Sequence, residues 1–470
     1  MKIMIFGTGK FYQNRKNQIA SDCVITAFID NNQVLQGKQM DCVPIISPSS
    51  INQFTYDKIV LMSAKKYADE MRNQLIELGV ASENILSWEQ LCSERLRGSF
   101  RFYCGNSSII QKRKKILILS TILDYNGGTL AAVYAARALQ ERGYNVILAA
   151  AEGNQEFIHE MVEGGINVVL CPALPYLHEE EIFWIQQFDA VLVNVFQMIK
   201  CACDICNIKP VLWWIHEPST IYEPIMNQFI ECACQEEFSK ANVYAVSGIP
   251  QKIFNHYFPG VIKETLGYGI PDENREGIIE RGSKNKTVFA IIGNVCPRKA
   301  QDIFVRSAKL LEGKDRADAE FWIIGFIGED EYSNQIKELA LNEPSIKIMG
   351  LLTRKELRKI YPEIDAVVCP SLEDPLPVVM TECMMYGKAC VVSDATGTID
   401  YIKDGENGFI CKKGDISGLS EKMGWIIHNK EKLQEIGLNA RQTYEAYFSL
   451  EKFGERLEAA LLNTIEKYGS

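Results

Sequence analysis

Short apolar runs bounded by turns recur along the whole chain. KIMIF, CVITAFID and DKIVLMS come first; KILILS, NVILAAA, INVVLC, AVLVNVF, PVLWWI and VYAVS follow. A third series, TVFAIIG, EFWIIG, IKIM, AVVC and ACVVS, completes the pattern. Runs of this length with little alternation read as strands covered on both faces. Stretches with helical spacing separate them, including Lys10 to Ala20, Lys66 to Leu78, Leu130 to Arg142 and one starting near Ala300. Strand and helix in alternation predict parallel sheets, and hence an α/β fold.

The rhythm restarts twice, so the chain divides. Residues 1–98 form a small Rossmann-like α/β unit, 99–114 a basic and aromatic linker, and 115–262 a second α/β unit. Residues 263–447 form a third, and 448–470 a C-terminal element whose Leu450 to Tyr468 is a long amphipathic helix. At 470 residues, two or three domains are expected.

Composition narrows the function. A net charge of -10 argues against general nucleic-acid binding, which needs a positive footprint. No apolar run reaches the ~20 residues that span a bilayer, and MKIMIFGTGK reads as a strand and Gly turn rather than a signal peptide. A cytoplasmic protein is expected. Segment 95–115 carries Arg95, Arg97, Arg101, Lys112, Arg113, Lys114 and Lys115 among Phe100, Phe102 and Tyr103. A solvated linker is the favoured reading; peripheral contact with the inner face of the plasma membrane is the alternative. The 15 cysteines read as reduced thiols. Cys201, Cys203 and Cys206 have the spacing of a helix rather than of a zinc knuckle, so no metal site is assigned.

Candidate chemistry sits where strands end. Gly7-Thr8-Gly9 with Asp30 about 20 positions on matches part of a dinucleotide fingerprint, but Tyr12 replaces the third glycine. A module without nucleotide is favoured, with nucleotide binding left open. Gly127 and Gly128 follow a strand and open a helix, so backbone N–H groups can approach an anion or simply turn the chain. His216 and Glu217 end PVLWWI, a position suited to ligand contact in an open α/β sheet. Arg298 and Lys299 follow TVFAIIG at a helix start, where cations oppose the dipole unless an anion binds there. In Ser371–Gly387, Asp374 and Pro375 read as N-cap and first helical residue, with an apolar helix from Leu376 to Tyr386 ended by Gly387. Glu382 on that buried helix must meet a polar side chain or a ligand.

From Lys115 onward, the Gly127–Gly128 loop, the His216 loop, GNVCPRK and the acid-x7-Glu stretch occur in order. With these the chain resembles a retaining glycosyltransferase of family 4, over about three quarters of its length. The resemblance implies a GT-B fold: two facing Rossmann-like domains, an acceptor side, then a nucleotide-sugar side, with the C-terminal helix crossing back. It implies Lys299 on the donor diphosphate, Glu382 on the ribose, Asp374 toward the sugar hydroxyls, and His216 near the reacting centre. Gly127 and Gly128 would face diphosphate and acceptor, and Leu376, Pro377 and Val378 the donor. Two departures stand out. Asn294 replaces the family arginine, with Arg298 as its substitute, and Asp374 is about 1.5 Å shorter than the usual Glu, so either the donor sugar sits differently or Glu373 shares its task. The implied partners are a nucleoside diphosphate sugar and a saccharide, lipid-linked or protein acceptor, without metal or cofactor, in surface polysaccharide or glycoconjugate synthesis. A non-catalytic GT-B binding partner and a nucleotide-sugar epimerase are the rival readings.

Overall fold

The apolar runs become the strands of three sheets in a computed structural model, which describes residues 1–16, 19, 22–63, 65–88, 90, 91, 100–105, 114–176, 183–229, 232–274 and 286–469. The first sheet holds β1 (Lys2–Phe6), β2 (Val24–Ile29), β3 (Gln39–Met40), β4 (Val43–Ile46), β5 (Lys58–Leu61) and β6 (Ile85–Ser87). Their order is β3-β4-β2-β1-β5-β6. The second holds β7 (Arg101–Tyr103), β8 (Lys115–Leu123), β9 (Asn145–Gly153), β10 (Asn167–Leu170), β11 (Ala190–Asn194), β12 (Val211–Ile215) and β13 (Asn242–Ala245), in the order β13-β12-β11-β8-β9-β10-β7. The third holds β14 (Thr287–Ile292), β15 (Ala319–Ile324), β16 (Ile346–Gly350), β17 (Ala366–Cys369), β18 (Ala389–Ser393) and β19 (Phe409–Cys411), ordered β16-β15-β14-β17-β18-β19.

Pairing is parallel except at β3–β4 and β7–β10. Helices cover the sheet faces, which is why strands such as Val211–Ile215 are buried at every position. The helices that matter below are α1 (Lys10–Arg15), α2 (Lys65–Glu77), α3 (Gly127–Glu141), α4 (Ile199–Cys206), α5 (Gln301–Leu310), α6 (Arg354–Ile360), α7 (Val378–Met385) and α8 (Leu450–Gly469).

Strand order fixes where a site can form. In the second sheet the order reverses between β8 and β11, and in the third between β14 and β17. Ligands of open α/β sheets bind beyond the strand ends at such reversals. The helix α8 packs back on α3. Arg142 Nε donates to Glu458 at 2.6 Å, Tyr144 to the same carboxylate at 2.9 Å, and Asn242 to Thr464 at 3.0 Å.

Several boundaries differ from the sequence reading. The expected linker contributes a strand: Arg101–Tyr103 pairs antiparallel with Leu170–Val168 on the edge of the second sheet. Phe100 is held edge-on to Trp184 at 5.6 Å, while Phe102 is exposed. Lys115 already belongs to β8, and Arg95, Arg97, Lys112 and Arg113 lie outside the described residues. The second unit runs past residue 262, because Thr265 still bridges Ala245. The first helix is shorter, ending at Arg15, and Ala20 lies outside the described residues. In the first unit, Thr8 Oγ1 donates to Asp30 at 2.5 Å, so the acid is engaged by the glycine turn itself. Among the described residues, no helix is long and apolar enough to cross a membrane.

Candidate active site

Three loops of the second sheet meet at its reversal. After β8, the Asn126 side chain accepts from Thr129 N–H at 2.9 Å and caps α3, so Gly127 and Gly128 become its first residues. A Cβ on Gly128 would lie 3.2 Å from Val195 Cγ1, and one on Gly127 3.9 Å from Val378 Cγ2. Gly127 therefore faces helix α7 of the third sheet directly. After β11, Asn194 donates to the Gly128 carbonyl at 3.1 Å. The next residue, Val195, has φ +79°, a conformation that costs a β-branched residue about 1–3 kcal/mol. It is held by Trp213 Nε1, which donates to its carbonyl at 2.9 Å. After β12 comes His216, whose ring lies 4.3 Å from that of Trp214. The residue is partly exposed, but its Nε2 is enclosed and has no hydrogen-bond partner, and the same holds for Asn194 Oδ1 and Gln197 Oε1. Burial pushes the imidazole down to about 3, so it is neutral at pH 7.

The third sheet supplies the cations. Gly293 leaves β14 with φ +144°, and a Cβ there would lie 3.7 Å from Lys299 Cε. Pro297–Lys299 form one turn of 3-10 helix, and Ala300, at φ +58°, separates it from α5. The cations thus stand on a turn of their own rather than in the first turn of α5. Lys299 Nζ lies 2.6 Å from Asp374 Oδ2, and Arg298 Nη1 3.3 Å from the same oxygen. Arg298 also donates to the Glu373 carbonyl at 2.9 Å, and its own carbonyl accepts from Leu372 at 2.8 Å. Burial lowers the Lys299 pKa, but the Asp374 carboxylate more than reverses this, leaving it raised. Asn294 offers no charge; its carbonyl accepts from Gln301 at 3.1 Å.

Asp374 is not the helix cap that the sequence suggests. Its N–H donates to Ala395 at 3.0 Å, and its carbonyl accepts from Gly397 at 2.9 Å. The chain bends at Pro375 and is not yet helical at Leu376, because a residue before proline is driven out of the helical region. Helix α7 starts at Val378 with Pro377 as its cap, and not at Leu376. The Leu376 carbonyl accepts from Tyr268 at 2.9 Å. The Glu373 carboxylate turns to the other domain, accepting from Ser219 N at 2.6 Å and Oγ at 2.8 Å. That contact joins the Glu373–Asp374 loop to the His216 loop.

Glu382 is buried on α7 and meets side chains. Arg354 Nη2 lies 3.0 Å from it, and the Tyr361 hydroxyl donates at 3.3 Å. Burial raises the Glu382 carboxyl; Arg354 opposes this and Glu273 adds to it, leaving it raised. Arg354 escaped the sequence reading. It follows Thr353, which forms a capping box with Glu356, and from sequence an arginine there reads as a solvated helix start.

Two cations on the third sheet and an unpartnered histidine nitrogen on the second lie on loops joined by the Glu373–Ser219 contact. Residues 274–443 match the family model "Glycosyl transferases group 1", and residues 1–86 match "C2185-like, N-terminal". An uncharacterized glycosyltransferase of Haemophilus influenzae is 22% identical over 74% of this chain and 100% of its own length.

The chain carries a group 1 glycosyltransferase domain at residues 274–443.

It has the GT-B fold with an added C2185-like N-terminal domain. Arabidopsis thaliana sulfoquinovosyl transferase is 32% identical, but over 26% of this chain and 25% of its own length. The chain spans 40% of a Campylobacter jejuni N-acetylgalactosaminyltransferase that acts on a diphospho-undecaprenol-linked sugar, at 27% identity. Anabaena HepE, solved with UDP and glucose, superposes with TM-score 0.62 at 17% identity, covering 75% of this glycosyltransferase and 100% of HepE.

Proposed function

We propose that this glycosyltransferase moves a glycosyl group from a nucleoside diphosphate sugar to a hydroxyl acceptor with retained anomeric configuration, in surface polysaccharide or glycoconjugate synthesis. The observation that carries this is the Lys299–Arg298 pair gathered on Asp374, in the loop that Glu373 ties to Ser219 beside the His216 loop. The barrier lies in separating sugar from diphosphate as the ring becomes oxocarbenium-like. Lys299 and Arg298 stabilise the charge that develops on the leaving diphosphate. Neutral His216 accepts or donates a hydrogen bond at the sugar without adding charge. Glu382 holds the ribose, and Asp374 turns toward the sugar hydroxyls once the diphosphate takes over its cations. The acceptor hydroxyl attacks from the face the diphosphate leaves, and a phosphate oxygen receives its proton. Gly127 and Gly128 admit the acceptor close to that point.

Purified protein incubated with a panel of nucleotide sugars tests this. Lys299→Ala should lower turnover by about 10²–10³-fold. Near-normal activity in that variant removes Lys299 from the site. A second reading, a non-catalytic binding partner, is favoured by the pairing of Asp374 with both cations. Absence of turnover together with tight binding to a partner enzyme would select it.

A further inference from the structure

Glu382 on α7 is held at both of its oxygens, by two side chains that have no other task in the transfer chemistry. Arg354 Nη2 lies 3.0 Å from Oε1, and the Tyr361 hydroxyl donates to Oε2 at 3.3 Å. Both holders are themselves fixed. Tyr361 is fully buried and stacks on Tyr386 at 4.2 Å. Arg354 is the first residue of α6, directly after the Thr353 capping box. A competing carboxylate stands close by, since Glu273 Oε1 lies 3.6 Å from the same Nη2. Arg358, one turn along α6 on the same face, draws that acid off: its Nε donates to Glu273 at 2.6 Å. With Arg358 on Glu273, Arg354 is left for Glu382.

Stability alone gives little reason for this arrangement. A buried ion pair is often no more stabilising than apolar side chains of the same volume, and α7 is apolar apart from Thr381 and Glu382. An ionised carboxylate has about four acceptor sites, so one partner on each oxygen leaves acceptor capacity on both. Two adjacent acceptors held in one plane match a vicinal diol, whose hydroxyls donate side by side. We propose that Arg354 and Tyr361 are positioning residues that set the plane of the Glu382 carboxylate, so that its two oxygens accept from the 2′ and 3′ hydroxyls of the donor ribose. The site then selects ribonucleoside over 2′-deoxyribonucleoside diphosphates. A carboxylate free to rotate meets one hydroxyl at a time, and the selection is lost. The inference rests on the donor reading above, in which Glu382 holds the ribose.

Binding rather than turnover tests it. UDP, GDP and ADP are titrated calorimetrically into the full chain, each beside its 2′-deoxy form. For the base that binds, removing the 2′ hydroxyl should weaken wild-type binding by about 10-fold or more, because a hydrogen bond to a charged acceptor is lost. Tyr361→Phe keeps the stacked ring, and Arg354→Lys keeps a cation near the buried carboxylate as a point charge on a shorter stem, so both variants should fold. In each, the ratio of deoxy to ribo Kd should fall by about threefold or more, with the loss confined to the ribo form. A packing role lowers Tm and leaves the ratio unchanged; direct contact of Arg354 with the diphosphate weakens both forms equally. Either result, in either variant, overturns the positioning role alone. Wild-type protein that binds the ribo and deoxy forms alike also overturns it. Wild-type protein that binds none of these nucleotides overturns the donor reading, and this inference with it.

Discussion

Replacing Asp374 by Asn should tighten diphosphate binding while slowing transfer. The carboxylate lies 2.6 Å from Lys299 and 3.3 Å from Arg298, so an incoming diphosphate must compete with an anion already in place. Two unit charges about 3.3 Å apart attract by ~5 kcal/mol at an effective dielectric of ~20. A diphosphate recovers most of this with its own oxygens, so only the difference appears in affinity. An advantage of roughly 1–3 kcal/mol for the variant corresponds to about 5- to 150-fold tighter binding. Inorganic pyrophosphate is the suitable probe, because it engages the cations whatever base the donor carries, and calorimetric titration reads its Kd. Free Asp374→Asn protein should also melt lower, since Lys299 loses its counter-ion in a largely buried place; removing one partner of a buried pair costs ~3–5 kcal/mol. Saturating pyrophosphate should therefore raise Tm more in the variant than in the wild type. Equal or weaker pyrophosphate binding by a variant with an undiminished Tm would refute the competition. Turnover should fall as well under the proposed mechanism, which turns that acid to the sugar hydroxyls once the diphosphate binds.

Other substitutions probe the rest of the cleft. Arg354→Met strands the buried Glu382 carboxylate and should destabilise by ~3–5 kcal/mol in denaturant unfolding, whereas Arg354→Met with Glu382→Gln should recover most of that. Gly127→Ala should fold normally, with Tm equal or higher, because its Cβ has 3.9 Å to Val378 and alanine suits a helix start better. Gly128→Leu should lower Tm by several degrees, since even its Cβ would sit 3.2 Å from Val195.

The strands were legible because each is buried on both faces and so carries an uninterrupted apolar run, as PVLWWI does. His216 and Lys299 were legible for a related reason: they sit at the carboxyl ends of such runs. Gly387, at φ +63°, ends α7 as its position after the apolar helix implies. What escaped depends on contacts distant in sequence. Arg101–Tyr103 is a strand only because Val168–Leu170 lies beside it. Asn194 looks like one polar residue among apolar ones until its amide meets Gly128. The cap assigned to Asp374 failed for a local reason that could have been read: Pro377 disfavours a helical Leu376, so a helix is not expected to begin at Pro375.

The two departures from the family pattern explain each other. Arg298, the proposed substitute for the arginine absent at Asn294, sits directly beside Lys299 in the chain. Both cations can reach a single carboxylate because Ala300, at φ +58°, breaks the chain before α5 and turns Pro297–Lys299 toward β17. That backbone costs about 1–2 kcal/mol for a residue other than glycine, and the paired charges offset it. Close approach of β14 and β15 is also required there: a Cβ on Gly325 would fall 2.1 Å from the Gly293 carbonyl oxygen. A Glu at position 374 would carry its carboxylate about 1.5 Å further out, past this pair of cations. The shorter Asp stops on them, and Glu373 beside it is drawn to Ser219 instead of the sugar. Under the proposed transfer, diphosphate arrival would free Asp374 for the sugar hydroxyls, making donor binding and arming of the acid one step.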